Sequence, residues 1–362
     1  MKKGLIILSI FLLLPINIFA SGLNDTGKSS IVMDIDTGRI LYQKDSNTER
    51  LIASTTKIMT FLVTLSFFQN QLDTKVKVGE EVLKMYGTNM YLNLGEELTI
   101  RELLYGLMMR SGNDASVVLA VNVAGSVSEF VMMMNKKAQE IGMQNTIFKN
   151  PHGLDEETKN YSTAYDLAIL TRYLYLNYPE YKKIVGEKYY DFSSSLKSYS
   201  LVNRCKILFT YKNTTTAKNG YTPLAGKSLV TTATKNDLNL LVVTLDDYDI
   251  YQNHERLYEY YFNRYKKELL LDKNNFKIAG IVPGKYYLKN NFYYPITKDE
   301  LNNVNLKVLL EEKNNTFGCV QILLKEKIIG EEVIYKIKEK KKEKKSLFLK
   351  IKNFFKNMFN DL

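Results

Sequence analysis

Residues 53–67 form a predominantly apolar run that nevertheless opens on Ser54-Thr55-Thr56-Lys57. A run of that length reads as a helix, and a helix that is apolar around most of its circumference has to be packed on several sides. Alternation over residues 31–42 about Asp36-Thr37-Gly38 reads as a hairpin just ahead of it, so strand precedes helix. Thr99 with Glu102 has capping-box spacing for a helix reaching about Arg110, and a second helix is expected over residues 115–124. Ser111-Gly112-Asn113 then falls on the short joint between two helices. Thr163 and Asp166 repeat the box, and residues 227–234 and 238–245 read as a strand pair turned at Lys235-Asn236-Asp237. The expected fold class is mixed α/β (α+β), an antiparallel sheet flanked by helices.

Past a helix-like stretch ending near Tyr265 the pattern changes. Residues 275–335 carry short alternating runs such as Tyr286-Tyr287-Leu288 and Val320-Gln321-Ile322-Leu323-Leu324, with turn clusters at Asn290-Asn291 and Asn314-Asn315. This predicts a small β-rich second domain. The chain therefore divides into residues 1–20, 21–265, 275–335 and 336–362.

The two ends carry the charge. Lys2 and Lys3 precede an apolar stretch from Gly4 to Leu14, with Pro15 and then Ala20 beyond it, the layout of a secretory signal, so the body is expected to be exported. Of the net charge of +11, residues 336–362 hold ten lysines against Glu339, Glu343 and Asp361, which leaves about +2 on the body once Lys2 and Lys3 are set aside. With no nucleic-acid motif in that near-neutral body, a nucleic-acid partner is not expected. In the tail, Leu347, Ile351, Phe354, Phe355, Met358, Phe359 and Leu362 share one helical face opposite Lys352, Asn353, Lys356 and Asn360. An apolar stripe beside a cationic run predicts an amphipathic helix held peripherally at a membrane surface, on the outer face of the cytoplasmic membrane.

Serine and lysine three apart near a helix start project from one face, so the Lys57 amine can reach the Ser54 hydroxyl. A desolvated lysine beside a second cation can lose its proton and serve as base for a serine nucleophile, and Lys218 is a candidate second cation. A chain with 19 serines and 42 lysines carries about two S-x-x-K matches by chance. Two occur; the other, Ser194-Ser195-Leu196-Lys197, lies in a polar stretch without helical pattern. In Ser111-Gly112-Asn113 the hydroxyl can relay a proton and the amide can hold a substrate carbonyl or amide. Lys218-Asn219-Gly220, ahead of a strand, offers positive charge and a close backbone approach. Cys205 and Cys319 form no C-x-x-C pair, and His152 and His254, the only histidines, form no H-E-x-x-H, so neither a metal nor another cofactor is expected.

In these blocks the chain resembles the low-molecular-mass penicillin-binding proteins, D-alanyl-D-alanine carboxypeptidases of the serine-lysine type. The likeness extends through Asn150-Pro151-His152-Gly153-Leu154, Ser162-Thr163-Ala164-Tyr165-Asp166-Leu167-Ala168 and Gly220-Tyr221-Thr222, over about residues 30 to 230. It implies a β-lactamase/transpeptidase-like catalytic domain acting on peptidoglycan stem peptides and acylated by β-lactam antibiotics. Ser54 would be the nucleophile, Lys57 its base and Ser111 the relay. Asn113, Lys218, Asn219, Gly220 and Tyr221 would bind substrate, with the Ser54 and Tyr221 N–H groups as oxyanion hole, and His152 would be structural.

The sequence departs from that family at two points. Its third motif has threonine where Asn219 stands, and members commonly carry an arginine after the strand pair, where residues 246–250 contain none. Weakened or rebuilt carboxylate recognition is expected. A β-lactamase is the disfavoured alternative, because no E-x-x-L-N follows the second motif; a non-catalytic wall-binding homologue is the other alternative that Asn219 leaves open.

Overall fold

The computed structural model describes residues 23–281 and 284–337, so the expected leader and the tail from residue 338 onward lie outside the described residues. The chain forms two compact units, one ending at Arg264 and the other beginning at Tyr265.

The first unit is built on a five-stranded antiparallel sheet in the order Ile40–Lys44, Gly27–Asp34, Leu238–Asp247, Gly226–Lys235, Thr214–Thr222. Asn236 and Asp237 both take positive φ, 52° and 61°, as a two-residue turn between right-twisted strands demands. The central strand Leu238–Asp247 is buried along most of its length, which explains the apolar run over residues 240–243. Alternate residues serve opposite faces. Leu241, Val243 and Leu245 join the main core together with Leu167 and Leu170 of the helix Ala164–Asn177. On the other face Thr231 and Thr244 bond the two ring nitrogens of His254, in the helix Ile250–Arg264, at 2.8 and 3.0 Å.

The apolar run opens as a 3₁₀ turn, Ala53–Thr56, and only then becomes the α-helix Lys57–Phe68, buried continuously from Lys57 to Leu65. The tighter opening turn separates Ser54 from the helix proper. At Thr99 the capping box forms, but the α-helix stops at Tyr105 and widens into a π-helical turn over Gly106–Arg110, where the close approach of Met90 leaves no room for a side chain on Gly106. The next helix begins at Asn113 and runs to Ala124. Thr163 caps its helix by accepting from Asp166 N, but the Asp166 carboxylate turns to Asn145 N and Thr146 Oγ1, so only half of that second box exists.

The second unit holds a four-stranded antiparallel sheet, ordered Tyr286–Leu288, Lys327–Lys336, Thr316–Leu324, Val304–Lys313, and a separate pair, Lys266–Leu271 with Phe292–Ile296. Its small core joins Leu271, Tyr286, Leu288, Val320, Ile322 and Ile334. Among the described residues no single helix is long and apolar enough to cross a membrane.

Candidate active site

The 3₁₀ turn puts Ser54 between two backbones. Ala53 is held at φ 45°, a left-handed conformation unusual for a residue with a side chain. A Cβ on Gly153 would fall 1.9 Å from the Ala53 carbonyl oxygen, and one on Gly220 would fall 2.9 Å from Ser54 N. Two segments distant in sequence, the loop after Pro151 and the edge strand Thr214–Thr222, therefore close on the serine only because both are glycine there.

One turn on, Lys57 is fully buried and its Nζ faces three oxygens: Ser54 Oγ at 3.0 Å, Asn113 Oδ1 at 2.8 Å and the His152 carbonyl at 2.6 Å. Two of these can only accept. A neutral amine has two N–H groups and one lone pair, so its hydrogens go to Asn113 and His152 and its lone pair is left facing the one neighbour with a proton to give, Ser54. Burial pushes the Lys57 pKa well below the usual lysine value, the nearby Lys218 charge pushes it further, and Asp114 opposes. Burial and the Lys218 charge thus favour the neutral amine, and in that form the geometry aims its lone pair at the serine.

Ser111 caps the π turn in a left-handed conformation, φ 64°, and its Oγ accepts from Lys218 Nζ at 3.0 Å. Lys218 also donates to the Asn219 carbonyl at 2.7 Å. Burial brings its pKa down to about 8, with the Arg204 charge acting in the same direction and Cys205 opposing, so it remains mostly cationic at neutral pH. Asn113 has both ends of its amide engaged, Oδ1 by Lys57 and Nδ2 on the Tyr86 carbonyl at 2.7 Å. Its geometry is that of a lysine-orienting group before substrate arrives.

Three parts of the site escaped sequence reasoning. The buried Asn150 and Asn160 shape the loop that presents the His152 carbonyl: Asn150 Oδ1 accepts from Gly153 N at 2.6 Å, and Asn160 Nδ2 donates to Asn150 O and Thr56 Oγ1, both at 3.0 Å. Asp114, also buried, accepts from Met90 N and Leu92 N and so fixes the irregular segment about Tyr91, itself left-handed at φ 63°. Both asparagines sit among the blocks that carry the family likeness or just after them, but only side-chain geometry gives them a job. The third part is Arg204, whose Nη1 donates to Thr88 Oγ1 at 3.2 Å and for which local sequence pattern offers no signal. His152 contributes its carbonyl, while its ring Nδ1 accepts from Leu154 N at 3.1 Å and burial holds its pKa down to about 3.

Asn219 and Gly220 lie on the edge strand with Lys218, and Tyr221 beyond them is largely exposed. The Asn219 amide has Oδ1 toward the Cys205 thiol and Nδ2 toward the Tyr251 hydroxyl, each at 3.4 Å. The structure thus forms two hydrogen-bonded groups, Ser54–Lys57–Asn113 and Ser111–Lys218, with the Lys218 charge acting on Lys57, and sets the third-motif glycine against the serine's backbone. Among the described residues no group of three His, Cys, Asp or Glu side chains is placed to hold a metal ion.

Residues 20–249 match the family described as D-alanyl-D-alanine carboxypeptidase, peptidase family S11. The chain is 40% identical over 228 residues to D-alanyl-D-alanine carboxypeptidase DacF of Bacillus subtilis, a match covering 62% of this chain and 58% of that protein. It is 29% identical over 340 residues to DacA of Haemophilus influenzae, covering 86% and 81%. The solved structure of penicillin binding protein 5 from Haemophilus influenzae superposes with a TM-score of 0.73 at 28% identity, covering 87% of this chain and 97% of that one. The span matched by the family includes every residue of the serine–lysine cluster, and the chain belongs to the D-alanyl-D-alanine carboxypeptidase family of serine hydrolases.

Proposed function

We propose that this protein removes the terminal D-alanine from peptidoglycan stem pentapeptides through an acyl-enzyme on Ser54, and that β-lactams acylate the same oxygen. The observation that carries the reading is the Lys57 amine, buried, stripped toward neutrality and 3.0 Å from Ser54 Oγ. In the first half-reaction Ser54 Oγ bonds to the carbonyl carbon of the penultimate D-alanine while its proton passes to Lys57. The developing oxyanion is placed against the N–H groups of Ser54 and Tyr221. The C–N bond then breaks as Ser111 Oγ gives its proton to the departing amine and takes one from the Lys218 ammonium bonded to it, leaving Lys57 charged and Lys218 neutral until deacylation. Water hydrolyses the ester by the reverse proton path. Lys218, Asn219, Gly220 and Tyr221 line the side on which the substrate's terminus lies, and Asn113 orients the base. D-alanine release from a synthetic pentapeptide tests the reading; an intact, folded protein that releases none contradicts it.

The same proposal places the enzyme outside the cytoplasmic membrane, exported by residues 1–20 and held by the amphipathic tail. The support is sequence pattern: the short apolar run behind Lys2 and Lys3, and the apolar face from Leu347 to Leu362 beside the lysine run. Truncation after Tyr335 is expected to release the mature protein from anionic vesicles, and salt to weaken binding of the full chain; equal sedimentation of both forms contradicts the anchor.

A further inference from the structure

In the second unit the four-stranded sheet ends on Val304–Lys313, and among the described residues no strand pairs with its outer side. An open sheet edge is a template for another chain, because its outward N–H and C=O groups are unpaired, and it is usually kept short or charged. This edge is ten residues long, and on it Leu306, Leu309 and Leu310 are between 38% and 57% exposed. Lys325 N donates to Asn303 O at 3.2 Å, and a Cβ on Gly318 would fall 1.9 Å from the Leu309 oxygen. The odd-numbered residues therefore turn their main-chain groups onto the neighbouring strand, and the even-numbered Leu306, Val308 and Leu310 direct theirs outward.

The side chains select the partner. Val304 and Val308 pack on the small core, so Leu306 and Leu310 share that face, while Lys307, Leu309 and Glu311 lie on the other. The order Lys307, Leu309, Glu311 is self-complementary when the strand meets a second copy of itself antiparallel. Outward groups pair only with outward groups, so the two-fold axis must cross the strand at a residue. With the axis at Leu309, each Lys307 faces the partner's Glu311, the two Leu309 side chains meet, and Leu310 lies opposite the partner's Val308. With the axis at Lys307 or at Glu311 like charges face each other, and at Leu310 Lys307 meets the partner's Lys313. At Val308 the two charges face Leu309 and Asn305, so among these registers only the one at Leu309 pairs opposite charges. Glu311 is available for the exchange, since its 2.7 Å pair with Lys313 lies on the open surface, where such a pair contributes little. The strand shifts register against its neighbour only beyond Leu310, past the residues whose main chain would pair.

We propose that Val304–Lys313 pairs antiparallel with the same strand of a second copy of this chain, about a two-fold axis at Leu309, joining two four-stranded sheets into one of eight strands. Main-chain bonds between Val308 and the partner's Leu310, and the reverse, form the contact, and the two Lys307–Glu311 pairs fix its register. A single strand pair buries less than a standard-size interface, so micromolar association is expected. The inference is independent of the carboxypeptidase reading.

Sedimentation equilibrium of the full mature chain tests the pairing, and disulfide trapping tests its register. The wild-type chain is expected to dimerise, Lys307→Glu to weaken the dimer about tenfold, and Lys307→Glu combined with Glu311→Lys to restore it. Association through any other surface, the tail included, does not follow that exchange. In a Cys319→Ser background, with Cys205 buried, Leu309→Cys places two thiols on the axis with Cα atoms about 4.5 Å apart, and mild oxidation is expected to bridge them. Lys307→Cys alone, about 13 Å from its own copy, is not expected to cross-link, but mixed with Glu311→Cys it is. Penicillin labelling stoichiometry and circular dichroism establish that each variant is folded. A wild-type chain that stays monomeric throughout the micromolar range overturns the dimer. Equal cross-linking of the three single variants, or a charge exchange that restores nothing, overturns this pairing.

Discussion

The chain contains the same four-residue spacing twice, and the two copies have nothing else in common. At Ser54 the spacing spans a 3₁₀ turn and the first residue of a buried helix, so the amine lies 3.0 Å from the hydroxyl. At Ser194 it spans the tip of a hairpin between Tyr189–Ser193 and Ser198–Val202. There the serine hydroxyl donates to Glu96 Oε1 at 2.5 Å, and the Lys197 amine turns away to the Tyr91 carbonyl. An amine turned to a main-chain carbonyl is no base for that serine, and a hydroxyl spent on a carboxylate is no nucleophile. The chemistry resides in the desolvated surroundings, and the spacing only permits it.

The largest effect that separates the two copies is loss of labelling. Ser54→Ala is expected to abolish covalent labelling by a fluorescent penicillin and Ser194→Ala to leave it intact; labelling retained in Ser54→Ala breaks the comparison. Next, Lys57→Ala is expected to slow acylation about a hundred- to ten-thousandfold, as loss of a positioned general base does, with circular dichroism unchanged, while Lys197→Ala leaves the acylation rate as it was. Equal rates for the two variants would mean that Lys57 is no base.

The pH dependence sharpens the same contrast. In the proposed mechanism Lys218 acts as a cation beside Ser111, and burial brings its pKa down to about 8. As pH rises through about 8 the charge is lost, so kcat/KM is expected to decline there, well below the pH at which an exposed lysine titrates. A flat profile to pH 10 contradicts the required charge.

The smallest effect is on stability. Burial holds both His152 and His254 down to about 3, whereas an unfolded chain takes up their protons near 6.5. The unfolded state therefore binds more protons between those values, and stability is lost as pH falls below about 6.5, by about 2 kcal/mol per histidine at pH 5. Denaturant unfolding at pH 5 and 8 measures this. His254→Gln, which cannot protonate, is expected to remove about half of the difference, and an unaltered difference refutes the assignment.

Sequence reasoning reached the elements whose cause is local. The strand pair over residues 227–234 and 238–245 with its turn, the Thr99 capping box and the serine–lysine spacing are set by neighbours in the chain, and each appears where the pattern puts it. It failed where distant backbones set the geometry. The 3₁₀ opening before Lys57 follows from the closure of Gly153 and Gly220 on Ser54, and the π turn before Ser111 goes with the close contact between Gly106 and Met90; neither leaves a periodic trace. Nor does the turn of the Asp166 carboxylate to Asn145 and Thr146, which halves the second capping box. At Asn219 the residue was legible as a departure, but the orientation of its amide depends on Cys205 and Tyr251, fourteen and thirty-two positions away.

The central claim is that a neutral Lys57 makes Ser54 the acylated residue. Intact mass after brief exposure to penicillin, followed by peptide mapping, tests it most directly. The account predicts one adduct per chain, on the peptide containing Ser54, and none in Lys57→Ala over the same interval. An adduct on any other residue, or one that forms equally fast without Lys57, contradicts it.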